Sequence, residues 1–147
     1  MMFADLVPGR VIETRSRRLD QDEILEFARR YDSQWFHVDP ERAARGRWKG
    51  LIASGWQTCA IAMELAVSEI LAGSESFGSP GIDQLHWLGP VRPGDMLRPQ
   101  VSVLESRISQ SGGTGSVLWR WSVLNQHDAT VLELVATSLF DLRIPVA

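Results

Sequence analysis

The sequence predicts an α+β fold in which one long helix is wrapped by an antiparallel β-sheet. Three observations carry this expectation. Residues 51–73, LIASGWQTCAIAMELAVSEILAG, are apolar nearly all round after Gly55, with Glu64 and Glu69 as the only charges. A helix of that kind is buried in protein or in lipid. A bilayer span needs ~18 or more consecutive apolar residues, and the two glutamates interrupt this run. Beyond Gly73 the chain breaks into strand-like segments at 81–88, 96–107, 116–125 and 130–143, divided by Gly- and Pro-containing turns. The length of 147 residues suits one domain, 1–147, with a core large enough to cover the helix.

The elements before the helix follow from local signals. Pro8-Gly9 marks an opening turn, and Val11, Glu13 and Arg15 begin a weakly patterned strand. A helix starts at Asp20, with Asp20 and Glu23 spaced as a capping box and Leu19 and Ile24 as the matching apolar staple. Ile24, Leu25, Phe27, Ala28 and Tyr31 form its apolar face. Asp39-Pro40 reads as the N-cap and first residue of a short helix that Gly46 ends. Residues 74–80 read as loop. Trp119 and Trp121 share a strand face with Val117 and Val123, and the last strand is partly apolar on both faces.

Composition excludes several function classes. The net charge of −3 and the lack of a Lys/Arg run argue against a nucleic-acid surface. Cys59 is the single cysteine, so no disulfide framework is possible, and its place in the apolar helix suits an inert thiol. No Cys/His cluster stands at metal spacing, and no metal is expected. The first ten residues show no basic region followed by an apolar run, so neither a signal peptide nor a membrane segment is expected, and a cytoplasmic protein is.

Two places hold groups suited to chemistry. Asp32 and His37 lie on one short polar stretch, where a carboxylate and an imidazole can share a water. The same spacing also fits a turn aspartate and a half-buried histidine. Ser54-Gly55-Trp56-Gln57 opens the long helix as a capping box, which leaves the Gly55 N–H without a partner at the positive end of the dipole. That N–H can receive an oxyanion, or Gly55 can serve close packing alone. Alanine at position 55 is expected to be tolerated by the fold, since the first helical position needs no positive φ.

Taken together, Asp32-x-x-x-x-His37-x-Asp39-Pro40, then Gly50-Leu51-Ile52-Ala53-Ser54-Gly55, then Pro93-Gly94-Asp95 resemble the MaoC-like dehydratases. These are the (R)-specific enoyl-CoA hydratases of the hotdog fold, and the resemblance runs over nearly the whole chain. It implies a catalytic pair at Asp32 and His37 and an oxyanion donor at Gly55. Two departures stand beside it: Gln34-Trp35 replaces the frequent Asn-Pro, and Ser54 replaces a frequent His. Ser54, Trp35 and Phe36 fall beside the pair and the helix start as substrate-contacting candidates. Arg47 and Lys49 are candidates for coenzyme A phosphates, although two such cations more often serve as solvated surface charges.

The implied activity is hydration of a trans-2-enoyl-CoA to the (R)-3-hydroxyacyl-CoA, or the reverse dehydration. No cofactor is implied beyond the coenzyme A of the substrate, and the implied assembly is a homodimer or higher homo-oligomer. The alternatives are a hotdog acyl-CoA thioesterase, a non-catalytic acyl-binding hotdog subunit, and a hydratase for branched or dicarboxylic enoyl-CoA.

Overall fold

The structure, a computed structural model, describes residues 1–143; the last four residues of the expected domain, 144–147, lie outside them. A 3₁₀ turn (Phe3–Asp5) leads to two short strands, β1 (Val11–Glu13) and β2 (Arg17–Arg18). Three helices follow, α1 (Gln21–Tyr31), α2 (Trp35–Val38) and α3 (Pro40–Arg45), and then the central helix α4 (Gly55–Ala66) with a π-helical last turn (Val67–Leu71). Four long strands complete the chain: β3 (Ser76–Trp87), β4 (Met96–Ile108), β5 (Thr114–Leu124) and β6 (Thr130–Asp141). Their order across the sheet is β1-β4-β5-β6-β3, every pairing is antiparallel, and β2 extends the pairing on β4. This is the hotdog arrangement, α4 lying on the inner face of a curled sheet.

The inner face follows the two-residue period of the strands. Leu97, Val101 and Val103 on β4, Val117, Trp119, Trp121 and Val123 on β5, and Leu132, Leu134, Ala136 and Phe140 on β6 are all buried. They join Ile61, Ala62, Leu65 and Ala66 of α4 in one apolar cluster. Trp119 and Trp121 meet edge to face with centroids 5.6 Å apart, and neither indole N–H has an acceptor among the described residues. The other face of β6 is only half-buried, so its apolar character is not matched by full burial in a single chain.

The structure differs from the sequence expectations in four places. Helix α4 is covered on one side only: Trp56, Met63 and Val67 are 57%, 47% and 42% exposed, because the sheet reaches around one face and stops at β3. Strand β3 begins at Ser76, within the expected loop. As an edge strand it tolerates Pro80 and absorbs its irregularity in three register shifts, while the Ser79 hydroxyl donates to the Thr137 carbonyl at 2.6 Å. Asp20 holds the N-cap position of α1 without capping it: Arg18 draws its carboxylate (2.7 Å) and Arg17 draws Glu23 (2.7 Å), so the capping box does not close. Leu19 and Ile24 are nevertheless both fully buried.

Gly46 closes α3 at a φ of −83°, not in the left-handed region; glycine is needed there because a Cβ would run into the Trp35 ring. Asp39 does cap α3, accepting from the Arg42 N–H at 3.0 Å. The Pro93-Gly94-Asp95 turn has a structural task. Gly94 takes a φ of +89° and donates to the Leu19 carbonyl at 2.7 Å. Asp95 accepts from the Arg92 N–H and the Gln126 amide, both at 2.8 Å. The turn thereby ties the start of α1 to the β5–β6 hairpin.

Packing around two glycines gives a test of this fold. A Cβ at Gly115 on β5 would stand 2.6 Å from the ring of Phe3, which is buried and packed on Phe140. Gly115→Ala should lower the unfolding free energy by ~1–3 kcal/mol, the usual cost of overpacking. At Gly78 on the edge strand a Cβ meets nothing within 4 Å, so Gly78→Ala should stay within ~0.5 kcal/mol of the parent. Urea denaturation midpoints at unchanged m-value read both.

Candidate active site

The site is built where four pieces of chain are held together by backbone bonds. Helix α1 ends at Asp32, whose N–H still reaches the Ala28 carbonyl at 2.9 Å. Helix α2 carries His37, with its N–H on the Gln34 carbonyl at 2.9 Å. The buried segment Leu51-Ile52-Ala53 then passes between α2 and the loop before β4: Ile52 N–H donates to Phe36 O at 3.2 Å and Ala53 N–H to Val91 O at 2.8 Å. Ser54 and the start of α4 are thus delivered beside Asp32. A cavity of about 460 Å³ opens there, with Asp32, His37, Gly55, Trp56 and Trp87 in its wall.

The imidazole is oriented from behind. His37 Nδ1 lies 2.7 Å from the Ile52 carbonyl, which only accepts, so Nδ1 carries the proton. Phe36 stands edge-on to the ring with centroids 4.4 Å apart. Nε2 is left facing Asp32 Oδ2 at 3.3 Å. In the neutral imidazole both of these atoms present lone pairs, so the contact calls for a proton between them or a water donating to both.

Asp32 is held as the anion. Its burial works to raise the carboxyl. The Gln34 amide at 2.8 Å, the Ser54 hydroxyl at 2.7 Å and, when its ring carries the second proton, the charge of His37 outweigh that and hold it below the usual carboxylate value.

The helix start also departs from the expected capping box. Ser54 Oγ donates to Asp32 instead of accepting from the helix, and the Gln57 side chain reaches the Glu23 carbonyl at 3.0 Å. Only the N–H groups of Gln57 and Thr58 fold back, onto the Ser54 carbonyl at 3.0 and 3.3 Å. Among the described residues the N–H groups of both Gly55 and Trp56 have no acceptor. Two polarised donors at the positive end of α4, in the wall of the same cavity, suit a negatively charged oxygen.

The remaining candidates fall in different places. Trp35 and Phe36 are not in the cavity wall; Trp35 packs on Phe36 and carries Arg42 over its face at 4.7 Å. Arg47 and Lys49 are exposed and outside the wall, and Trp48 between them contributes to it. Trp87 and the loop from Leu88 to Val91 also line the cavity and were missed in the sequence. A Cβ at Gly55 would overlap the Trp87 indole, so alanine there is not the mild change expected from helix propensity. The only hint of this was a tryptophan just ahead of the Gly89-Pro90 turn, which does not reveal what the ring covers. Burial pushes the Cys59 thiol above its ordinary value, with Trp87 hydrogen bonding acting the other way, so it is a poor thiolate at neutral pH. Glu64 and Glu69 sit at the rim, paired with Arg17 at 3.0 Å and Arg15 at 2.8 Å.

Known proteins share both sequence and architecture with this chain. Residues 4–118 match the MaoC like domain. The Bacillus subtilis protein YdeM, described as uncharacterised, is 33% identical over 133 residues, spanning 90% of this chain and 94% of its own length. The 3-hydroxyacyl-thioester dehydratase Z of Mycobacterium tuberculosis is 33% identical over 88 residues, 58% of each chain. The crystal structure of a MaoC-like dehydratase from Rhodospirillum rubrum superposes with a TM-score of 0.90 at 32% identity, covering 99% of both chains. With the domain match extending from the first turn into β5, the chain belongs to the MaoC-like dehydratase family.

Proposed function

We propose that the protein adds water across the double bond of a trans-2-enoyl thioester of coenzyme A, giving the (R)-3-hydroxyacyl thioester, or runs the reverse dehydration. The observation that carries this reading is the approach of Asp32 Oδ2 to His37 Nε2 at 3.3 Å, in one cavity with the unpartnered N–H groups of Gly55 and Trp56. A water donating to the two side chains loses one proton to the pair as its oxygen attacks C3. The pair, through the shared proton, returns one to C2. The water is consumed and the pair ends as it began. Negative charge passing to the thioester oxygen meets the two helix-start donors, and removing one such donor typically costs ~3–4 kcal/mol in the barrier. Coenzyme A enters as part of the substrate, and this chemistry asks for no other cofactor.

The reading includes a homodimer. Strand β3 is bonded on one side only and is exposed along nearly its whole length. It lies beside the exposed apolar ridge of Trp56, Met63 and Val67 and carries exposed Ile82 and Trp87. A second copy laid antiparallel against β3 satisfies the edge and covers the ridge by one self-complementary contact.

Three outcomes follow. Asp32→Asn and His37→Gln should each keep a cooperative thermal transition and lower hydration of crotonyl-CoA, followed at the enoyl-thioester absorbance, by ~10²–10⁴-fold. The double variant should be little worse than the worse single one; near-normal turnover in either would remove the assignment.

The second concerns Ser54. Because the folded value of Asp32 is depressed, its ionisation stabilises the fold above the ordinary carboxylate range, and that contribution is lost as pH falls through the folded value. Ser54→Ala deletes a donor, so the Asp32 carboxyl, read by carbon NMR, should titrate at higher pH and the acid limb of kcat/KM should move with it. Third, light scattering at micromolar concentration should give twice the chain mass, and Ile82→Lys should return the monomer.

A further inference from the structure

Thr58 is a polar group of the catalytic cavity that neither the acid–base pair nor the helix-start donors engage. It lies one turn into α4, is 2% exposed and stands in the wall with Asp32, His37 and Gly55. A helical side chain leans back toward the N-terminus, so Thr58 lies over the turn that opens at Gly55. A helical threonine ordinarily gives its hydroxyl proton to a carbonyl three or four positions back. Ser68, further along the same helical run, does so, donating to the Leu65 carbonyl at 3.1 Å. For Thr58 the carbonyl four back is that of Ser54, which already takes the Gln57 and Thr58 N–H groups at 3.0 and 3.3 Å, one for each lone pair. Among the described residues the Thr58 hydroxyl has no hydrogen-bond partner. It is not sealed in, as the unpartnered Gln57 Oε1 beside it in sequence is. A buried O–H donor is therefore open to whatever occupies the cavity.

We propose that Thr58 is a catalytic residue whose hydroxyl donates a hydrogen bond to the oxygen at C3, the attacking water in one direction and the departing hydroxyl in the other. The proposal rests on the enoyl-thioester reading above. The acceptors that such a substrate brings are the thioester oxygen, the sulfur and the oxygen that adds at C3. The thioester oxygen is met by the Gly55 and Trp56 N–H groups, and a sulfur bonded to carbon is a weak acceptor. The C3 oxygen remains, and it has a lone pair to offer. The water gives its two O–H groups to Asp32 and His37 and directs one lone pair at C3; Thr58 donates to the other. Held at three points, the water can reach the alkene with one lone pair only. As the pair removes a proton, negative charge grows on this oxygen and the bond from Thr58 strengthens, while the threonine keeps its own proton throughout. The spacing agrees: the thioester oxygen and the C3 oxygen are a few ångströms apart, and Thr58 stands ~4.5 Å of helix rise beyond Gly55 with its side chain leaning back.

The test sets Thr58→Val, which keeps the shape and deletes the hydroxyl, beside Thr58→Ser, which keeps the hydroxyl. The thermal midpoint of Thr58→Val should hold or rise, because the buried group it removes is unpaired. Its kcat/KM for crotonyl-CoA should fall by about tenfold or more, what one hydrogen bond to an oxygen gaining charge contributes. Dehydration of (R)-3-hydroxybutyryl-CoA should fall by the same factor, since the equilibrium between the two thioesters is unchanged. The inhibition constant of butyryl-CoA, which has no oxygen at C3, should stay near the wild-type value, and Thr58→Ser should keep kcat/KM near wild type. A folded Thr58→Val protein with near wild-type kcat/KM overturns the proposal and leaves the hydratase reading standing. So does a butyryl-CoA inhibition constant that rises as far as kcat/KM falls, which marks a change of cavity shape. Should wild type hydrate no enoyl thioester, the hydratase reading fails, and calorimetry with (R)-3-hydroxybutyryl-CoA and butyryl-CoA then decides Thr58 alone: an affinity ratio that Thr58→Val leaves unchanged overturns the contact with the C3 oxygen, and a lost preference for the hydroxy thioester supports it.

Discussion

The carbonyl of Ile52 is the point on which the site depends. It accepts from His37 Nδ1 at 2.7 Å and so chooses the tautomer, leaving Nε2 as the lone pair that faces Asp32. The same residue donates its own N–H to Phe36, and the next donates to Val91, so the carbonyl cannot drift without breaking two backbone bonds. A buried peptide group whose bonds are all made is costly to displace, since each orphaned polar atom in the interior costs ~1–3 kcal/mol. One extended tripeptide therefore aligns a histidine from α2, an aspartate from the end of α1 and the start of α4.

Ser54 shows how that alignment trades stability for chemistry. A serine before a helix ordinarily accepts from the helix's own N–H groups and strengthens its first turn. Here its hydroxyl turns outward to Asp32, helping the Gln34 amide to hold the carboxylate ionised despite burial. The helix gives up its cap, and the N–H groups of Gly55 and Trp56 remain open to the cavity. The two halves of the site are coupled through this one side chain.

The sheet was legible because it rests on residue periodicity, and the central helix because it is one long apolar run between a Ser-Gly start and a Gly end. Strand alternation at Val117, Trp119, Trp121 and Val123 places those side chains in the core as the pattern requires. The caps were less legible. Asp39 caps α3 because its nearest donors are those of its own helix, whereas Asp20 and Ser54, in equally good cap positions, are drawn off by Arg18 and Asp32. A cap is a local contact of about 1 kcal/mol, and a charged or buried partner arriving from elsewhere in the chain outbids it.

The Asp32–His37 spacing and the bare helix start at Gly55 were visible in the chain as candidates, and the resemblance supplied the roles proposed for them. The sequence by itself determined the helix, the strand pattern and the residue types available for chemistry, since these depend on neighbours a few positions apart. Only the tertiary structure decided that the cavity is walled by Trp48 and Trp87 and not by Trp35, Phe36, Arg47 or Lys49, and that Trp87 lies over Gly55. It also decided that one flank of α4 and the edge of β3 stay uncovered. The reason is that a cavity is defined by segments far apart in sequence: its walls follow from how far the sheet curls and where β3 ends, and neither is written in the periodicity of any single stretch.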